Sequence, residues 1–149
     1  MLRAAGVAFT EHSYDYREHG GTAWAATALG LDEHAVIKTL VMEDDRRRAL
    51  VVLMHGDREV STRALARALG AAGIRPCAPD VAERHSGYRV GGTSPFGLRK
   101  PLPVYMEASI ADLPRIFVNG GRRGYLVGLA PDDLTRLLAP TPVSVAQPA

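Results

Sequence analysis

Cysteine is almost absent from this chain. Cys77 is the only one in 149 residues, so no disulfide can close within it, and a reducing compartment such as the cytoplasm is expected. Long apolar runs are missing as well. None approaches the ~20 residues that a membrane-spanning helix needs, so no membrane association is expected. The opening Met1-Leu2-Arg3-Ala4-Ala5-Gly6 is too short an apolar stretch to read as a secretory signal. Neither sign of charge is in excess: 18 Lys and Arg face 16 Asp and Glu, for a formal net charge of +2. That balance permits contact with nucleic acid without demanding it.

The conventional catalytic sets are lacking too. His12, His19, His34, His55 and His85 are scattered, with no i, i+4 pair and no partner cysteines, so neither a zinc site nor any other metal centre is expected. There is no G-x-S-x-G elbow for a serine triad. No P-loop or dinucleotide fingerprint occurs. Cys77 follows Pro76 in a short apolar piece without a glycine elbow or a helix start, and reads as a structural thiol. Ser94 has no general base near it in sequence.

What is present suits one domain with a real core: the length is that of a single unit and hydrophobic residues make up 46%. Residues 2–5 read as a short helix stopped at Gly6, and Val7 to Tyr14 as a strand. Thr22 reads as the N-cap of a helix over Ala23 to Leu29, closed by Gly30. Val36–Met42 and Ala49–Met54 are apolar, β-branched runs around the charged turn Asp44-Asp45-Arg46-Arg47, a hairpin pattern. Ser61 or Thr62 caps a helix through Leu69. A short strand is expected at Pro76–Ala78, and a helical turn at Asp80–His85 with a capping box from Asp80 to Glu83. Strands are expected at Pro103–Met106, Arg115–Val118 and Gly124–Leu129, the last two joined by Asn119-Gly120-Gly121. A helical turn falls at Ser109–Leu113. Pro131 opens a last helix to Leu138, and the tail after Pro140 is expected to fray. Strands outnumber short, interspersed helices without a linker or repeat. The fold class is therefore α+β: residues 1–149 as one domain, built on a mixed, mostly antiparallel, curved sheet with flanking helices.

Two features draw chemistry. Lys38 interrupts an apolar strand, sharing a face with Leu40 and Met42. It either snorkels at a sheet edge or points into a cavity, and alternation alone favours the edge. The second is Gly91-Gly92-Thr93-Ser94-Pro95-Phe96-Gly97. Glycines there allow positive φ and close backbone approach to a ligand, and Pro95 stiffens the loop. A surface turn and a cradle for a small polar ligand both fit. Basic clusters at Arg46–Arg48, Arg99-Lys100 and Arg122-Arg123 are either solvated tips or contacts to a phosphate backbone.

These residues resemble a known family. Val36-Ile37-Lys38-Thr39-Leu40 is similar to its V-x-K-T-L strand. Ser86-Gly87-Tyr88-Arg89-Val90 running into Gly91-Gly92-Thr93-Ser94-Pro95-Phe96-Gly97 is similar to its S/T-G-Y-x-V-G-G-x-S-P-x-G loop. Val118-Asn119-Gly120-Gly121-Arg122-Arg123-Gly124 resembles its V-x-G-G-x-R-G turn, and Leu65-Ala66-Arg67-Ala68-Leu69-Gly70 its K-x-A-x-A-L-G helix. The family is the YbaK/EbsC group of aminoacyl-tRNA deacylases, related to the editing domain of bacterial prolyl-tRNA synthetase. The likeness runs in order from about Val7 to Leu138.

The resemblance implies hydrolysis of mischarged Cys-tRNA(Pro), in contact with tRNA and in some cases with prolyl-tRNA synthetase, with no cofactor. It implies no protein nucleophile: the substrate thiol attacks its own ester carbonyl. Lys38 would be catalytic. Tyr14, Thr39, Gly91, Gly92, Thr93, Ser94 and Pro95 would bind the aminoacyl end, and Arg99, Lys100, Arg122 and Arg123 would contact tRNA. Gly21 stands where the family usually has an aromatic residue, and Leu126 where many members carry a polar one. The resemblance therefore leaves open removal of another small residue such as alanine, or a binding module of the same fold without activity.

Overall fold

A computed structural model describes residues 2–149. In chain order the elements are β1 (Thr10–Ser13), α1 (Gly21–Leu29), β2 (Ile37–Asp44), β3 (Ala49–His55), β4 (Arg58–Val60), α2 (Thr62–Leu69), β5 (Ile74–Pro76), α3 (Pro79–Ser86), β6 (Val104–Glu107), β7 (Ile116–Asn119), β8 (Tyr125–Leu129), α4 (Pro131–Leu138), β9 (Thr141–Val143) and β10 (Ala146–Pro148). Short 3-10 turns lie at Glu33–Ala35 and Ala108–Asp112.

The β2–β3 hairpin is the centre of the fold. It pairs from Ile37 opposite His55 to Glu43 opposite Ala49. Its turn is fixed by Asp44, whose carboxyl accepts from the backbone N–H of Arg46 and Arg48, both at 2.9 Å, and from Arg48 Nε at 2.8 Å. Those donors, the Arg48 N–H above all, hold its carboxyl below the usual aspartate range. The hairpin belongs to a five-stranded sheet of order β5-β2-β3-β6-β9, antiparallel up to β3 and parallel beyond it. A second, antiparallel sheet, β1-β8-β7, joins it through a parallel bridge from Val36 to Phe117.

β3 reads as an unbroken apolar run because both of its faces are covered. Val51 and Leu53 pack with Ile110, Ile116, Leu129 and Leu134 on one side. Leu50, Val52 and Met54 pack with Leu65, Ala66 and Val145 on the other. α2 carries the expected caps: Ser61 Oγ accepts from Ala64 N–H, and Gly70 closes the helix at φ 69°.

Several elements differ from their sequence pattern. Residues 2–6 form a turn, closed by Gly6 N–H on the Arg3 carbonyl, and Leu2 fills the core. β1 begins only at Thr10. The expected strand at 76–78 lies at Ile74–Pro76 instead. Thr22 does not cap α1; Gly20 stands at that position, and Thr22 Oγ1 donates to Glu33 Oε2 at 2.8 Å. Glu83 makes no capping box, since Pro79 starts α3, and its carboxyl accepts instead from Val90 N–H.

The largest difference is the tail. Instead of fraying, it forms β9 against β6 and β10 against β4, with Val145 only 3% exposed between them. Its prolines occupy short edge strands, where a missing N–H costs little.

Candidate functional site

The site sits where the two sheets part. β3 covers one edge of β2 along its length. On the other edge, β5 pairs only with Met42–Asp44, and β7 makes one bridge, to Val36 just before β2. Between these points the edge is open and borders a cavity of about 460 Å³. Cys77 N–H donates to the Val41 carbonyl across that edge. By the two-residue period of a strand, the backbone N–H and C=O of Thr39 point the same way.

Lys38 lines this cavity at the open edge of β2, so the edge and cavity readings meet in one place. Its Nζ donates to the Arg58 carbonyl at 2.7 Å. One of three ammonium donors is thereby spent on fixing the amine, and two remain. Thr39 Oγ1 is buried without a hydrogen-bond partner, and Thr39 also lines the cavity. An unpaired buried hydroxyl is costly unless a ligand satisfies it. Tyr14 lines the wall next to them; burial first, then neighbouring Tyr16, pushes its hydroxyl up, so it stays a proton donor.

The glycine loop divides into lining and support. Gly91 and Thr93 face the cavity. Gly92, Ser94 and Pro95 are buried behind it. A Cβ on Gly92 would stand 2.7 Å from Arg123 N, so only glycine lets this loop pack on the 122–123 turn. Ser94 Oγ accepts from Phe96 N–H at 3.1 Å and Tyr88 donates to the Phe96 carbonyl. Asn119 staples loop to turn: its Nδ2 donates to the carbonyls of Gly91 at 3.3 Å and Arg122 at 3.0 Å, and its Oδ1 accepts from Gly121 N–H.

The basic candidates separate. Arg122 stacks on Tyr125, and Arg123 stacks on Tyr16 while its Nε donates to the Val90 carbonyl. Arg99 and Lys100 lie by the end of α3, where their N–H groups donate to the Ser86 and His85 carbonyls. That is outside the cavity.

Sequence patterns did not bring out Tyr16, Arg17, Trp24 or Asn119 as wall residues, nor that Cys77 reaches the cavity. Burial pushes the Cys77 thiol up and Glu43 adds to it, so it is not poised as a thiolate. Outside the cavity, half-buried His34 stacks on buried His55 with ring centroids 3.8 Å apart. His55 Nδ1 pairs with the His34 carbonyl, which makes Nδ1 the donor and leaves Nε2 to accept from Ser109 Oγ at 2.7 Å. Burial pulls the pKa of His55 down.

Among the described residues no group of three or more His, Cys, Asp and Glu could hold a metal ion. No helix among them is long and apolar enough to cross a membrane. The chain belongs to the aminoacyl-tRNA editing domain family, whose model matches residues 20–137. EbsC of Enterococcus faecalis, named as a candidate Cys-tRNA(Pro)/Cys-tRNA(Cys) deacylase, is 28% identical over 138 residues, 92% of this chain and 84% of its own. The proline–tRNA ligase of Streptococcus equi subsp. zooepidemicus is 29% identical over 108 residues, 72% of this chain but 17% of the ligase. In fold, the chain is similar to a solved candidate trans-editing enzyme for prolyl-tRNA synthetase, at TM-score 0.84 and 22% identity, covering 98% of this chain and 92% of that one. It is also similar to the solved hypothetical protein APE2540, at TM-score 0.88 and 21% identity, covering 98% and 96%.

Proposed function

We propose that this chain is a trans-editing deacylase that removes cysteine from mischarged tRNA(Pro), acting in the cytoplasm with tRNA as its partner and prolyl-tRNA synthetase as a second one. The observation that carries the reading is the ammonium of Lys38, tethered at an open strand edge beside the cavity that Thr39 also lines. A fixed cation suits an ester carbonyl on which negative charge develops. Tyr14 and the Gly91–Thr93 segment hold the aminoacyl group, and Gly92, Ser94 and Pro95 set the shape of that segment. Arg122 and Arg123, stacked on aromatic rings, and Arg99 and Lys100, at the end of α3, meet the acceptor stem.

In this reading the substrate supplies the nucleophile. The cysteine sulfur bonds to its own carbonyl carbon, the ester C–O bond breaks, and the thiol proton goes to the departing ribose oxygen. The product is a cyclic thioester and a free tRNA end. The cavity contributes proximity and a fixed cation. Cys77, with its thiol raised, takes no part. Cys77→Ser is expected to hydrolyse Cys-tRNA(Pro) within about twofold of the unchanged protein, the ordinary tolerance of a site outside the chemistry. A folded but inactive Cys77→Ser would give the protein thiol the nucleophilic role.

Leu126 favours a second reading. It is 4% exposed and lines the cavity, which puts a branched apolar wall where a polar side chain would grip a thiol or hydroxyl. Such a wall discriminates weakly between small residues, and removal of alanine then needs a water or a tRNA hydroxyl as nucleophile. Release of amino acid from Cys-tRNA(Pro), run beside Ala-tRNA(Pro), separates the two.

A further inference from the structure

The loop between β1 and α1 carries a feature that the ester chemistry does not use. Arg17 lies with its guanidinium carbon 3.6 Å from the centroid of the Trp24 ring. The indole is itself fixed, because Trp24 Nε1 donates to the Asp15 carbonyl at 2.8 Å. The loop beneath is tight: Gly20 N–H donates to the Arg17 carbonyl at 2.9 Å, and a Cβ on Gly20 would stand 2.7 Å from Trp24 Cβ. A long side chain is thus held flat in one place at the exposed rim of the cavity.

Its donors are free. Among the described residues the Arg17 guanidinium makes no hydrogen bond and no ion pair, whereas Arg48, Arg58, Arg75 and Arg123 are engaged with carboxyl or carbonyl oxygens. Among the described residues no aspartate or glutamate lines the cavity, while Arg17 and Lys38 both do. A cavity that is cationic and lacks carboxylates selects an anion. A planar fork with open donors matches a phosphate in particular. The two exposed large apolar side chains, Tyr16 at 37% and Val90 at 42%, both lie on this rim, where a ribose or base can cover them.

We propose that Arg17 is the phosphate anchor of the site: it binds the 5′-phosphate of the terminal nucleotide while the aminoacyl ester on the same nucleotide enters the cavity. The proposal rests on the deacylase reading and names the part of the substrate that the rim recognises. Arg17 is a positioning residue. It binds ground state and transition state alike, so its loss raises KM and spares kcat.

The experiment titrates the protein with adenosine 5′-monophosphate, adenosine and inorganic phosphate, and repeats the titrations with Arg17→Gln, which keeps the stem on the indole but removes the charge. The unchanged protein is expected to bind the monophosphate about tenfold more tightly than adenosine, the scale of one charge-assisted contact. Arg17→Gln is expected to lose that preference. With aminoacyl-tRNA, it is expected to raise KM about tenfold with kcat within about twofold. Equal binding of the monophosphate and adenosine, retention of the preference in Arg17→Gln, or inorganic phosphate binding as tightly as the monophosphate would each overturn the assignment. If no aminoacyl-tRNA is hydrolysed but the preference exists and depends on Arg17, the deacylase reading falls and the nucleotide site stands.

Discussion

Replacing Lys38 by alanine is expected to remove most of the hydrolysis, by about 100-fold or more, the usual effect of deleting a preorganised donor aimed at developing charge. Two features make the effect this large. Among the described residues Lys38 is the one lysine lining the cavity, and its amine is pinned by the Arg58 carbonyl at 2.7 Å instead of roaming in solvent. Fixed charge needs no reorganisation as the carbonyl oxygen gains charge. Stability should change little, because the side chain is only partly buried and gives up a single hydrogen bond, worth about 1 kcal/mol. Single-turnover deacylation alongside a thermal melt separates the two quantities. A folded Lys38→Ala that works at the unchanged rate would end the catalytic role of Lys38.

Deleting residues 141–149 is expected to be the most damaging change to stability. Three losses combine. β9 leaves β6 and β10 leaves β4. Val145, 3% exposed, leaves the cluster that includes Met54 and Leu65, at a cost of about 1.5–3 kcal/mol for one buried apolar side chain. Glu107, 7% exposed, loses the Val145 N–H that its carboxyl accepts at 2.7 Å, and an orphaned buried polar group costs about 1–3 kcal/mol more. Against a typical margin of about 5–15 kcal/mol this is a large fraction. The site suffers as well, since β10 steadies β4, and β4 begins with the Arg58 whose carbonyl tethers Lys38. Urea unfolding of the shortened chain measures the loss. A midpoint equal to that of the full chain would show that the tail contributes nothing to the fold.

Local chemistry made much of the fold legible. The β2–β3 hairpin, the Ser61 and Gly70 caps and the tight turn after Asn119 each follow from a few adjacent residues. The short edge strands β4, β9 and β10 did not, because their only signal is a partner far away in sequence. Arg58–Val60 pairs with Ala146–Pro148, and neither piece has the length or alternation to declare itself. Thr22 shows the same limit: its cap pattern is genuine, yet Glu33 and Gly56 offer its hydroxyl better partners. In the site, strand alternation and the run of glycines brought out Lys38 and the 91–97 loop, and the resemblance added Tyr14 and Thr39. It did not distinguish the residues that line the cavity from those, such as Ser94, whose hydroxyl is spent inside the loop. Arg17 carried no motif at all. Its interest comes from the indole beneath it and from a guanidinium without a hydrogen bond or ion pair among the described residues, and both are properties of the folded chain.

The account stands on turnover of a mischarged tRNA. The most direct measurement follows the release of amino acid from Cys-tRNA(Pro), Ala-tRNA(Pro) and Pro-tRNA(Pro) by the same protein sample. Rapid loss of cysteine with proline retained is the expected result. Loss of alanine at a matching rate would move the nucleophile from the substrate thiol to water or a tRNA hydroxyl. All three substrates surviving intact would contradict the account, leaving an editing-domain fold that binds without hydrolysing them.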